Sequence, residues 1–119
     1  HTGVYVGNNT VIHAVAEGVV KIDIIDFLRC DGFCILRPRA HQARAIMRVT
    51  SWLGLDYDFE FKHGNMKFYC HELGMYAYKE LSIEPVPVSF MGKTIKWMKP
   101  RYLADSFLSS PDFKKIYEY

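Results

Sequence analysis

The first 38 residues restrict the fold most, because they are short apolar segments separated by turn residues. Apolar and polar residues alternate in this region, which is the pattern of half-buried β-strands. The predicted strands are 1–7, 10–16, 18–24 and 33–38. Glycine and asparagine at 7–9 and the Glu-Gly pair at 17–18 favour tight turns between them, and 24–29 is typical of a short helical turn. This half of the chain is therefore predicted to form a meander of about four strands.

The rest of the chain carries apolar residues at helical spacing. Segment 41–55 has this spacing with Gly54 near its end, which predicts an amphipathic helix with a glycine C-cap. A second helix is predicted from Tyr69 to Leu81, with Cys70 in its first turn and on the apolar side. The other predicted elements are a strand over 57–61, a short helix over 100–106 and a last strand over 113–119. These elements together indicate an α+β fold.

Composition excludes several classes of protein. The 119 residues are 50% hydrophobic and 24% charged, as expected for one globular domain. A net charge of +2 is too small for a nucleic-acid footprint, so we expect no nucleic-acid partner. No apolar run is long enough for a transmembrane segment. Oligomeric state is unknown from the sequence, and so is localisation: cell envelope, secreted and cytoplasmic locations are all possible.

One cysteine and two histidines form the chemically most informative set. A thiol at a helix N-terminus ionises more readily, because partial positive charge and free N–H groups lie there. Cys70 has this predicted position, whereas Cys30 and Cys34 are expected to be small buried hydrophobes. A cysteine nucleophile needs an imidazole to accept its proton and a group to orient that imidazole. His1 and His13, on two adjacent predicted strands, could supply both.

Four sequence blocks resemble a known family. HTGVYVGNNTVIHAVAEGV (1–19), LGLDYDFEF (53–61), FYCHEL (68–73) and KPRYLADS (99–106) occur in the order of its motifs. The chain thus resembles the YiiX/YebB-like permuted papain-fold amidases, which are related to the NlpC-type cysteine peptidases. The resemblance implies a circularly permuted papain-like (NlpC-like) α+β fold, a small antiparallel sheet or half-barrel packed on helices. It also implies a single hydrolase domain over 1–119 that lacks an N-terminal segment.

The resemblance also implies site residues. Cys70 aligns with the nucleophile and His1 with the general base, while His13 takes a position that usually holds Glu. His71 stands where Ser is typical, and Glu72 keeps the family's Glu and would favour the helix start by its charge. The implied function is a cysteine hydrolase that cleaves an amide or ester bond through a thioester and needs no cofactor. Candidate substrates are N-acyl amino acids, lipid acyl groups and peptidoglycan peptides.

Two other hypotheses remain open. The His13 and His71 departures are compatible with a catalytically inactive binding module on the same fold. A true N-terminal His1, together with His13, could instead chelate copper, since amine and imidazole nitrogens suit Cu(II). Of the other residues, His41 and His63 are expected at the surface and Asp58 in a turn or cap. The aromatic residues between Tyr57 and Tyr69 are expected to pack in the core more than to line a substrate cleft.

Overall fold

A computed structural model describes residues 1–59, 67–96 and 98–119. The strands in these ranges are β1 (Gly3–Gly7), β2 (Thr10–Val15), β3 (Gly18–Asp23), β4 (Cys34–Pro38), β5 (Ser89–Phe90), β6 (Lys93–Thr94) and β7 (Phe113–Glu118). The helices there are α1 (Ile24–Phe27), α2 (Gln42–Ser51), α3 (Cys70–Ala77) and α4 (Ala104–Leu108). Small antiparallel sheets and helices therefore make up the described chain, in agreement with an α+β class.

The first three strands form an antiparallel meander in the order β1-β2-β3. Asn8 and Asn9 connect β1 to β2 with φ of 51° and 59°, the left-handed conformation that a tight hairpin turn requires. The next turn ends at Gly18, whose φ is +112°. A Cβ at Gly18 would lie 2.5 Å from the carbonyl oxygen of Leu55, so only glycine fits there. The three predicted strands and both turns are confirmed.

The fourth strand does not join this meander. Asp23 accepts a hydrogen bond of 2.8 Å from the Ile25 backbone N–H and so caps α1, which leads the chain away from the sheet. β4 pairs instead with β7, antiparallel, with Cys34 opposite Glu118. The predicted four-stranded meander is therefore wrong in its last member. The reason is that β4 finds its hydrogen-bonding partner at the far end of the chain.

The α2 helix covers one side of the meander and packs against α3 and β1. It ends at Ser51, a few residues before the predicted limit, and Gly54 follows with φ of +93°. The Gly54 N–H donates to the Val19 carbonyl at 2.9 Å, and the Val19 N–H donates to the Leu55 carbonyl at 2.8 Å. Two backbone hydrogen bonds thus fasten the end of this helical segment to β3.

The α3 helix is the central element of the core. Leu73, Ala77 and Leu81 are buried, as the helical spacing predicted, although the helix proper stops at Ala77. They pack with side chains of the meander and of α2, among them Val4, Ile12, Ala14, Val19, Ala45 and Val49. Cys70 is only half-buried and lies at the helix end, not among the core side chains. No helix in the described ranges is long and apolar enough to span a membrane.

The aromatic segment after α2 divides between core and surface. Tyr57 bridges to Phe68, and Phe68 and Tyr69 are buried, whereas Phe59 is 68% exposed. Core packing was therefore the right expectation for some of these residues and not for Phe59. Residues 60–66 lie outside the described ranges, and with them Phe61, His63 and part of the predicted 57–61 strand.

Candidate active site

His1 and His13 are brought together by the β1–β2 hairpin. His13 lies on β2, opposite Gly3 of β1, so the side chain of His1 reaches it from the start of the neighbouring strand. The Nε2 atom of His1 is 2.9 Å from the Nδ1 atom of His13. His1 is exposed and His13 is buried. The Phe27 ring packs against both imidazoles, with centroids 5.7 Å from His1 and 5.4 Å from His13.

Burial makes His13 a neutral group. Desolvation lowers its pKa below the ordinary value of 6.5, and the charge of Glu17 opposes this shift only in part. A neutral imidazole can orient the other ring through a hydrogen bond, but it carries no negative charge, unlike a carboxylate. The electrostatic help given to a protonated His1 is therefore smaller than a carboxylate would give.

Cys70 begins α3, as the sequence predicted. The preceding residue, Tyr69, is extended (φ −87°, ψ 165°) and gives the helix start no side-chain cap. The Tyr57 hydroxyl lies beside Cys70. Burial raises the pKa of Tyr57 and a charged Cys70 sulfur raises it further, while a hydrogen bond from the Cys70 backbone N–H lowers it. The Tyr57 phenol thus lies within hydrogen-bonding reach of the Cys70 backbone N–H.

A side-chain hydrogen bond connects the two halves of the site. The Oγ1 atom of Thr2 is 2.6 Å from the Nδ1 atom of His71. Thr2 follows His1 directly, and His71 follows Cys70 directly, so the bond joins the neighbours of two candidate catalytic residues. In addition, α3 packs against both β1 and β2. The fold therefore brings the beginning of β1 and the N-terminus of α3 together, although they are about 70 residues apart in sequence.

Two buried carboxyl groups lie beneath the start of α3. Asp58 is 1% exposed and Glu72 is 0% exposed. Burial raises the pKa of Glu72 to about 8, the nearby Asp58 adds to the rise, and a hydrogen bond from the Tyr69 N–H opposes it. The sequence analysis placed Asp58 in a turn or cap and gave Glu72 a surface-type charge effect, and it did not predict that the two acids are buried together. A Glu at the third residue of a helix predicts a bond to the backbone N–H of the residue before the helix, here Tyr69. It does not predict that Glu72 and Asp58 are buried.

Other cysteine and histidine predictions have mixed outcomes. Cys30 and Cys34 are both exposed, so the expectation that they are buried hydrophobes is wrong. The reason is that Cys30 lies in the turn after α1, and Cys34 begins a strand whose sheet has only two strands. His41 is partly buried and precedes α2 with φ of +70°. His71 is half-buried and bonded to Thr2, which the sequence did not indicate.

A cavity of about 580 Å³ opens elsewhere, at the C-terminal end of α3. Its walls include Met75, Leu81, Tyr102 and Asp112. None of Cys70, His1 and His13 lines it. Within the described ranges, no group of three or more His, Cys, Asp and Glu residues is arranged to hold a metal ion.

Comparison with known proteins identifies the family of this chain. No curated protein matches this chain, and no solved structure does. The family model for the permuted papain-like amidases, YaeF/YiiX, C92 family, matches residues 1–117, and the chain therefore belongs to this family, as its sequence blocks had indicated.

Proposed function

We propose that this protein is a cysteine hydrolase in which Cys70 is the nucleophile, His1 the general base and His13 the group that orients His1. The observation that carries the proposal is the 2.9 Å contact between His1 Nε2 and His13 Nδ1, at the β1–β2 hairpin against which the Cys70 helix packs. We further propose that residues 1–119 act as one domain with an NlpC-like arrangement. Membership of an amidase family supports this assignment.

We propose that His1 donates and His13 accepts in the hydrogen bond between them, because this tautomer leaves His1 with a free base nitrogen. A neutral His13 that accepts at Nδ1 carries its own proton on Nε2. His1 then donates its Nε2–H, and its Nδ1 atom is left unprotonated as the base. In this tautomer His1 can take the thiol proton through Nδ1 while His13 holds the ring in position. When His1 becomes an imidazolium, the same Nε2–H···Nδ1 bond is retained.

The oxyanion would be held at the start of α3. The Cys70 backbone N–H is one donor, because an N–H at this end of a helix has no partner within the helix. Tyr57 is proposed as the second donor. Its raised pKa keeps the phenol protonated, so its O–H can donate to an oxygen that accepts from the Cys70 N–H as well. On this proposal, the Tyr57 hydroxyl oxygen accepts the hydrogen bond of the Cys70 N–H until a substrate carbonyl oxygen takes its place.

The reaction then proceeds in two halves. The Cys70 thiolate attacks the carbonyl carbon of an amide or ester, and the protonated His1 gives its proton to the leaving amine or alcohol. Water, activated by His1, hydrolyses the thioester and releases the acid. The substrate classes that remain open are N-acyl amino acids, lipid acyl groups and peptidoglycan peptides. The chain's own residues suffice for every step of this mechanism.

A catalytically inactive binding module is the alternative function. The observation that favours it is the neutral, buried His13, because an imidazolium at His1 gains no stabilising charge from it. The same surface would then bind the acyl or peptide group without cleaving it. Reactivity of the Cys70 thiol distinguishes the two functions, since a module that only binds needs no thiolate.

The decisive experiment measures alkylation of each cysteine by iodoacetamide at pH 7, with the labelled peptides quantified by mass spectrometry. The exposed Cys30 and Cys34 are internal references, because both thiols are accessible to the reagent. An ordinary thiol is only a few per cent ionised at pH 7, so an activated Cys70 should react about 10- to 30-fold faster than the references. Removal of the base by His1→Gln should abolish most of this difference.

Substrate turnover completes the test. A panel of an N-acyl amino acid, an acyl ester and a peptidoglycan stem peptide should include at least one compound that the wild type cleaves and Cys70→Ser does not. Equal alkylation rates for the three cysteines, together with binding but no cleavage of the panel, would favour the binding module.

A further inference from the structure

We infer that Thr2 and His71 form a positioning pair that sets the distance between the base strand and the nucleophile helix. This inference rests on the proposed function, because it concerns how the proposed base and nucleophile are held together. Neither residue is proposed to touch the substrate. The bond between Thr2 Oγ1 and His71 Nδ1, 2.6 Å long, joins the residue that precedes β1 to the second residue of α3. Thr2 directly follows His1, and His71 directly follows Cys70.

The position of this bond in the chain lets it affect where His1 lies relative to Cys70. His1 lies two residues before β1, and Thr2 is the only link between its backbone and that strand. If Thr2 moved away from α3, His1 would move with it, while Cys70 would stay with the helix. Because catalytic groups must be held within about 0.5 Å of their productive geometry, a small displacement here would reduce reactivity without unfolding the protein.

A glycine in α3 gives independent support for close contact at this point. Gly74 lies one turn after Cys70, and a Cβ placed on it would lie 2.9 Å from Phe107 Cζ and 3.2 Å from Thr2 Cγ2. Glycine in a helix interior costs stability relative to alanine, so its presence is explained by the close approach of another element. Thr2 is therefore fixed from two directions: its hydroxyl by His71 and its methyl by the surface of α3 at Gly74.

The Thr2–His71 hydrogen bond should persist over the pH range of the alkylation assay, because His71 stays neutral there. Burial lowers the pKa of His71 to about 4, so the ring is neutral at pH 5.5 and above. A neutral imidazole can either accept from or donate to the Thr2 hydroxyl at Nδ1, and the bond does not depend on a charge. Changes in reactivity between pH 5.5 and 9 therefore report on Cys70 and His1, not on loss of this bond.

The test uses substitutions that separate the hydrogen bond from the shape of the side chain. Thr2→Val keeps the branched shape and removes the hydroxyl, whereas Thr2→Ser keeps the hydroxyl. His71→Asn places a polar atom close to the position of Nδ1, whereas His71→Leu has none. The readouts are the alkylation rate of Cys70 from pH 5.5 to 9, kcat and KM on the cleaved substrate, and the thermal unfolding midpoint.

We expect Thr2→Val and His71→Leu each to slow Cys70 alkylation at pH 7 by about fivefold, which corresponds to one hydrogen bond, and to move its pH midpoint upward. The double variant should lose no more than either single variant, because both remove the same bond. Thr2→Ser and His71→Asn should restore most of the rate. On substrate, kcat should fall while KM stays nearly constant, since neither residue contacts the substrate.

The outcomes separate failure of this inference from failure of the proposed function. If wild-type Cys70 reacts no faster than Cys30, the proposed function fails and the positioning role fails with it. If wild-type Cys70 is activated but Thr2→Val and His71→Leu keep its rate and pH midpoint, only the positioning pair is refuted. A lower unfolding midpoint with an unchanged alkylation profile would likewise refute it, because it would assign the bond a structural role alone.

Discussion

Replacement of Gly74 by alanine tests the packing of α3. Helix propensity and packing predict opposite changes in protein stability for this substitution. Alanine is favoured over glycine in a helix interior by about 1 kcal/mol, so propensity predicts a more stable protein. The structure predicts the opposite. The new Cβ would lie 2.9 Å from Phe107 Cζ and 3.2 Å from Thr2 Cγ2, whereas comfortable carbon contacts begin at about 3.5 Å.

The Phe107 ring has little room to retreat. Phe107 is 5% exposed and makes an edge-to-face contact with Phe113, with centroids 5.6 Å apart. Overpacking of this kind costs about 1 to 3 kcal/mol. After the gain of about 1 kcal/mol from propensity, Gly74→Ala should destabilise the protein by roughly 1 kcal/mol and lower its unfolding midpoint by about 3 to 5 °C.

Thermal unfolding followed by circular dichroism measures this change, and urea unfolding gives the free energy independently. Phe107→Leu, alone and combined with Gly74→Ala, is the matched control, because leucine removes the ring atom that the new Cβ meets. The combined variant should lose less than the sum of the two single losses. A rise of the midpoint in Gly74→Ala would refute the reasoning, since it would mean that α3 has space at this position.

Three further predictions concern stability. Glu72 has a pKa of about 8 when folded and 4.5 ordinarily, so the folded state binds the extra proton and stability should fall as pH rises from 4.5 to 8. Glu72→Gln should therefore be more stable than wild type above pH 8, by at least about 1 kcal/mol; equal urea midpoints at pH 9 would contradict this. Gly18→Ala should cost at least about 2 kcal/mol, because it combines a positive φ with a clash against the Leu55 carbonyl, and expression of folded protein with a wild-type midpoint would argue against it. Arg48→Met should cost about 1 kcal/mol, since Arg48 donates to the Ala77 carbonyl at 2.9 Å and pairs with Glu80, while Glu80→Gln should cost less in the same urea titration because the carbonyl bond remains.

Local patterns were sufficient to predict much of the framework of this fold. The two turns of the meander need left-handed or glycine residues at fixed positions, and the chain has Asn8, Asn9 and Gly18 there. The apolar spacing of α2 and α3 likewise reports a helix that buries one face. The position of Cys70 at the start of α3 followed from the same spacing, so part of the candidate site could be predicted as well.

The remaining features depend on contacts between distant parts of the chain. Nothing in the sequence near Cys34 indicates that its strand pairs with β7 and not with β3, and the exposure of that thiol follows from this pairing. The burial of Asp58 beside Glu72 depends on how 56–58 passes beneath α3. The bond between Thr2 and His71 has the same origin, because a hydroxyl and an imidazole have no spacing rule that connects them across the chain.

The pairing of β4 with β7 has a consequence for how the protein is made. Cys34 and Glu118 are more than 80 positions apart, so closing this loop costs about 4 kcal/mol of chain entropy, against about 1 kcal/mol for a short hairpin. The N-terminal hairpins should consequently assemble early, and the β4–β7 ladder late. During translation the hydrogen-bonding edge of β4 therefore stays without its native partner until 113–118 has left the ribosome, and an unpaired edge is open to pairing with other chains.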